Sequence, residues 1–219
     1  DKYEKSIVLI KNEYYYEVDL GNGEAVYFSR YDEFTGAPVL KYTRENVLKD
    51  LPTTYGTGFF ISKDGLIATN KHVIIPEFDE TKVKKFVRSY FDQIKHHLST
   101  KIEKHQFEIE ELKNYVNNNY NDMQMNHLKK YINYIEIKKD SILEIQMVLN
   151  TFDSYGDFKS SDIEVNCINH NLGIAINNTH VTSDKDFYGC VPFKDHLEKD
   201  ISVIQLKRKI TPEEVTIPI

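Results

Sequence analysis

Among the side chains able to do chemistry, the histidine that closes the stretch Tyr55–Ile75 stands in the most constrained setting. The stretch reads Y-G-T-G-F-F-I-S-K-D-G-L-I-A-T-N-K-H-V-I-I. Two apolar runs, Gly58 to Ser62 and Leu66 to Thr69, flank Lys63-Asp64-Gly65. An Asp-Gly pair between strand-like runs predicts a hairpin, because glycine accepts the positive φ that such turns need. The second run delivers Asn70-Lys71-His72 just past its end. An imidazole there is held by a rigid support yet stays reachable at the margin of the core. Histidine as a residue type ordinarily titrates near neutrality, which suits it to proton transfer. Taken alone, the residue also reads as an ordinary loop histidine.

The remaining reactive groups read more simply. Two cysteines, Cys167 and Cys190, are too few for a disulfide scaffold. Their apolar, strand-like surroundings predict two buried free thiols, with a bridge between neighbouring strands as the alternative, and neither has metal-ligand spacing. His96, His97 and His105 fall in a helical stretch where no acidic or cysteine partner repeats at i+4, so they read as polar-face or seam residues. His127, His170, His180 and His196 are isolated, and no cofactor or metal is implied. Asn177-Asn178-Thr179 fits a glycosylation sequon, a pattern too short to carry weight.

The string G-T-G-F-F-I-S-x-D-G-x-I-x-T-N-x-H-V, ending at Val73, resembles the first-barrel signature of trypsin-like (chymotrypsin-fold) serine peptidases, above all the bacterial HtrA-type members. Downstream, Lys199-Asp200-Ile201-Ser202-Val203-Ile204-Gln205-Leu206 resembles the D-I-A-V-I-x-L strand that carries that family's triad aspartate. The order, histidine then aspartate, is that of the family, whose serine comes last. The resemblance implies that His72 is the general base, since a serine hydroxyl is a poor nucleophile until a neighbouring base takes its proton. It implies that Asp200 accepts the other ring N–H, fixing the tautomer and stabilising the imidazolium that forms. Cys190, in Tyr188-Gly189-Cys190-Val191-Pro192, lacks the glycine that follows the family's nucleophile and precedes Asp200, so it is not that group.

The family's G-x-S-G-G context is missing: none of the nine glycines has serine two residues later, and no serine is followed directly by glycine. The resemblance therefore covers the N-terminal half of a peptidase: base and orienting acid, without nucleophile, oxyanion hole or specificity pocket. The nucleophilic serine is expected beyond Ile219, and this chain alone is expected to be inactive. The implied substrate is a protein or peptide, and the family tilts the compartment towards a secreted or periplasmic one. The alternative is a non-catalytic, protease-derived scaffold.

These groups need a support, and the strand signals supply one. Ser6 to Leu20 is rich in Val, Ile and Tyr, Gly21-Asn22-Gly23 breaks it, and Ala25 to Ser29 returns as a strand. Arg30 to Thr54 reads mostly as loop, with one short strand around Val39 to Tyr42. After Thr151, Asp162 to Ile168 and Leu172 to Asn177 flank Asn169-His170-Asn171 as a second hairpin. Phe187 to Val191 and Ile201 to Leu206 add two strands. Short strands with turn signals predict a small antiparallel barrel.

Between the two sets the texture changes. From Asp79 to Asn150 there is neither glycine nor proline. Apolar residues fall three or four apart, from Val83, Val87 and Tyr90 to Val116, and again from Leu128 to Leu149. Asn117 to Asp122 interrupts them. Two amphipathic helices packed as an antiparallel hairpin follow, each about 50 Å long. The expected fold is α+β, mainly β with inserted α: one antiparallel chymotrypsin-type half-barrel from 1–78 and 151–219, interrupted by a helical hairpin over 79–150. Such an insertion costs little extra closure entropy, and it accounts for much of the distance between His72 and Asp200.

Net charge is −6. The arm is close to neutral, so the acidic excess lies in the barrel segments and no phosphate-binding bias exists; a general nucleic-acid partner is not expected. No apolar run is long enough to span a bilayer, and no signal-peptide pattern opens the chain, whose start at Asp1 fits a processed N-terminus. The arm is the expected surface for a protein partner or for self-association.

Overall fold

A computed structural model of the chain describes residues 6–122, 124–156, 158–176, 181, 183–195 and 199–209. Among the described residues, seven strands and four α-helices follow in the order β1 (Ile7–Asp19), β2 (Ala25–Phe28), α1 (Arg44–Val47), β3 (Thr53–Phe60), β4 (Leu66–Thr69), α2 (Lys71–Ile74), α3 (Glu80–Asn119), α4 (Met125–Ser154), β5 (Glu164–Ile176), β6 (Tyr188–Asp195) and β7 (Ser202–Leu206). They fall into two compact units, one drawn from Asp1–Asp19, Ala25–Val83 and Glu164–Ile219, the other from Leu20–Glu24 and Lys84–Ile163.

The first unit is a closed antiparallel barrel. The strands run β1-β3-β4-β7-β6-β5, and β5 pairs back onto β1. Six strands therefore complete the ring, and β2 lies against the far half of β1, from Tyr16 to Asp19. Closure removes the unpaired edges that an open sheet would expose. Alternation fills the interior: Val8 and Ile10 of β1, Phe60, Ile67, Ile174, Ile204 and Leu206 point to one cluster, with Val73 and Ile74 of α2 packed into it. Two glycines of β3 set its closeness. A Cβ on Gly58 would stand 2.8 Å from Ile67 Cγ2 and 2.9 Å from the Ala68 carbonyl, and one on Gly56 would collide with the Val73 side chain.

Two local expectations are corrected. The run over 162–177 is no hairpin: β5 passes unbroken through Asn169, His170 and Asn171, all paired or bulged against β1. Asn and His are turn-type residues, but here they form a β-bulge, in which one extra residue is absorbed without reversing the chain. In the stretch over 30–54, Val39 to Tyr42 forms no strand: its one isolated bridge joins Lys41 to Tyr27, and a second, just before it, joins Pro38 to Tyr31. Thr43 caps α1, its Oγ1 accepting from the Asn46 N–H at 3.3 Å.

The second unit holds the long helices. Helix α3 has 40 residues and α4 has 30, so they rise about 60 and 45 Å. Asn117 to Asn119 stay helical, and the break falls at the 3₁₀ turn Tyr120–Asp122. Pairing is antiparallel. Phe91 meets Phe152 edge-on at 5.6 Å, Lys138 pairs with Glu108 at 2.7 Å, and Tyr115 meets Tyr131 at 5.3 Å. Ile102, Ile109, Ile135 and Ile145 line the seam. No helix is long and apolar enough to cross a membrane among the described residues.

Candidate active site

Register brings the two predicted residues to one end of the barrel. Strand β4 ends at Thr69, β7 begins at Ser202, and these two residues are partners. The segments just outside the pair, Asn70 to His72 and Lys199 to Ile201, therefore leave the sheet side by side. His72 Nδ1 lies 2.7 Å from Asp200 Oδ2, and the His72 backbone N–H donates to Asp200 Oδ1 at 3.0 Å, although 128 residues separate them along the chain. One carboxylate thus receives both a ring and a main-chain donor of the same residue, which restrains ring rotation as well as position. An acceptor at Nδ1 requires the proton of the neutral imidazole to sit there, leaving Nε2 with its lone pair. Nε2 has no hydrogen-bond partner among the described residues. About half of each side chain is exposed, 52% and 53%. The His72 backbone N–H, ahead of the ring, holds the Asp200 carboxyl below its ordinary value.

The turn carrying His72 is pinned from beneath. Gly56 leaves the space that Val73 occupies. Asn12 of β1, fully buried, donates through Nδ2 to the carbonyls of Val73 and Ile74 at 3.1 and 3.0 Å. Thr54 Oγ1 donates to the Val73 carbonyl at 3.3 Å. Tyr16 donates its hydroxyl to the Pro76 carbonyl at 3.0 Å, with its ring against Phe78 at 4.7 Å. Sequence reasoning missed Asn12 and Tyr16. The one available signal is polar: Asn12 sits on the apolar face of β1, in step with Val8 and Ile10.

A groove of about 450 Å³ opens beside the pair, lined by Lys71, His72, Ile75, Pro76, Phe78 and Asp200 among others. A second cavity, of about 380 Å³, is bordered by Lys11, His170, Asp184, Phe187, Cys190 and Lys207. Its buried cation is already matched, because Lys11 Nζ pairs with Glu13 and Asp184, both at 2.7 Å. The first groove is the one that borders both His72 and Asp200.

The other reactive groups are placed as follows. Cys167 and Cys190 are free thiols, each pushed up to about 12 by burial. A thiol that remains protonated is a poor nucleophile. His105 lies in the arm against Glu108 at 3.3 Å, and His170 is the extra residue of the β5 bulge. Among the described residues no group of three or more His, Cys, Asp or Glu could hold a metal ion. His180, His196, the sequon Asn177 to Thr179 and the run Val215 to Ile219 lie outside the described residues. No family model, curated protein or solved structure matches this chain.

Proposed function

We propose that the chain is the N-terminal lobe of a trypsin-like serine endopeptidase, its barrel the chymotrypsin-type half-barrel that bears the base and orienting acid. The observation that carries this reading is the double contact of Asp200 with His72, through Nδ1 and through the backbone N–H. In this reading Nε2 takes the proton of a serine hydroxyl supplied by sequence beyond Ile219, as the serine oxygen bonds to the scissile carbonyl carbon. The imidazolium so formed is stabilised by the Asp200 carboxylate and returns the proton to the leaving amine as the C–N bond breaks. Asp200 stays ionised throughout, in keeping with its lowered pKa.

The test is labelling by an active-site-directed phosphonate. The 219-residue chain remains unlabelled, and the longer protein is labelled on one serine only while His72 is intact. Stoichiometric labelling of the short chain contradicts the assignment.

A second activity is favoured by the arm. Phe107, Met125, Leu143 and Met147 are each more than half exposed on its helices. Exposed apolar side chains on a long helical pair favour a protein partner or a second copy of the chain. Were the longer protein to lack a serine in G-x-S-G-G context, a non-catalytic scaffold built on this arm becomes the better reading.

A further inference from the structure

We propose that Asn12 and Asn169 are positioning residues for His72, a pair of amides, one buried and one half-buried, that holds the imidazole against Asp200; the inference rests on the reading of His72 as general base.

The argument begins with α2. It is one turn of four residues, so the carbonyls of Val73 and Ile74 have no intrahelical partners. Both lie beneath the site, away from the solvent that would otherwise satisfy them. Asn12 supplies a donor to each, and Asn169 Nδ2 adds a second donor to Ile74, at 2.7 Å. The two amides also bind one another: Asn169 Nδ2 donates to Asn12 Oδ1 at 3.0 Å. Every polar atom of the Asn12 amide is thereby matched. Rotating either amide by half a turn would set an oxygen against carbonyl oxygens, so the network defines both orientations.

The bulge of β5 makes the pair. Opposite β1, Asn12 faces Leu172 and Glu13 faces Asn171, but Tyr14 faces Asn169, so His170 is the inserted residue. Side chains alternate along a strand, and one added residue exchanges its two faces. Beyond the bulge the face shared with Leu172 and Ile174 passes to Asn169 and Cys167. Without it, Asn169 would point away from Asn12, the Ile74 carbonyl would lose one of its two donors and Asn12 Oδ1 would lose its own. Strand β1 thus contacts the active turn directly, and β5, whose chain position is 95 residues beyond Ile74, contacts it through the bulge.

The measurement is proton NMR of the 219-residue chain with ¹⁵N-labelled imidazoles, following solvent exchange of the His72 Nδ1–H. In the unsubstituted chain this proton is protected by Asp200, and Asp200→Ala removes the protection. Asn12→Asp and Asn169→Ala each speed its exchange by about tenfold or more, the size expected when a buried hydrogen-bond partner is removed. Cys190→Ala, which loosens the same barrel core without touching the network, leaves the exchange unchanged while lowering the melting temperature. An unaltered Nδ1–H in Asn169→Ala overturns the proposal. So does equal acceleration in Cys190→Ala, or the lack of a protected Nδ1–H in the unsubstituted chain. If Asn12→Asp fails to fold, Asn169→Ala alone decides. No nucleophile is needed for this readout, so a failure of peptidase activity in the longer protein is a separate result that leaves it standing.

Discussion

The barrel and the helical arm hold their charged and polar groups in opposite ways. In the arm most ion pairs link neighbours on one helix: Arg88 with Asp92, Lys113 with Glu110, Lys139 with Glu136. Such pairs follow from the helical repeat and face water, where they contribute little and mainly keep the surface solvated. In the barrel, polar contacts join residues far apart in the chain. Asp200 reaches His72 across 128 positions, and Asn169 reaches Asn12 across 157. Several of these groups are buried, Asn12 and Ser202 completely. A polar side chain inside a packed barrel is kept only where its partners are fixed. The comparison teaches that the closed sheet, not the arm, is where side chains remote in sequence, such as His72 and Asp200, are fixed against one another.

The difference can be broken first at the cores. Phe60→Ala, at a fully buried position of the barrel, should cost about 3–5 kcal/mol by urea unfolding. Ile145→Ala, in the arm seam where some solvent reaches the side chain, should fall near the lower end of large-to-small changes, about 2 kcal/mol. An arm substitution that costs as much as the barrel one would show that the seam is packed as tightly as the closed sheet.

A finer test adds volume instead of removing it. Gly56→Ala places a methyl on the Val73 side chain and should destabilise the barrel by about 1–3 kcal/mol as an overpacked contact. Its particular mark is displacement of the His72 turn, visible as a changed His72 imidazole resonance. A stable variant with that resonance unmoved would mean that the glycine serves some other purpose.

The smallest effect is in pH. Because the folded-state pKa of Asp200 lies below its ordinary 3.8, its ionised form adds stability above that value, and this contribution is lost as pH falls through the lowered pKa. Following the Asp200 carboxyl carbon by NMR should therefore show the clamp with His72 persisting below pH 3.8. Titration at or above that value would remove the main-chain contact from the account.

Legibility followed the range of the contacts. The arm could be read from its apolar spacing because helical periodicity is local, and Val83, Val87, Ile102, Ile109, Ile135 and Ile145 are all buried as the spacing implies. The β1–β2 break at Gly21 to Gly23 and the β3–β4 turn at Gly65, with φ of +84°, were likewise visible as glycines where positive φ is required. Closure of the barrel was not. Nothing in Ile7 to Asp19 announces that its partner is Glu164 to Ile176, since strand pairing is decided by residues that meet only after folding. The bulge at His170 shows the cost of that. Its flanking asparagines have turn chemistry, and only the partner strand distinguishes a bulge from a reversal. Of the site, His72 and Asp200 were legible through a resemblance, and Asn12, between Lys11 and Glu13, looked like one more polar residue in a charged triplet.

The most direct test of the proposed function is peptide hydrolysis by a protein that extends beyond Ile219, comparing the unsubstituted chain with His72→Ala at equal folded concentration. The account predicts a loss in kcat of about a million-fold with the barrel still folded. Cleavage at an undiminished rate, by a variant whose circular dichroism and melting match the parent, would contradict it.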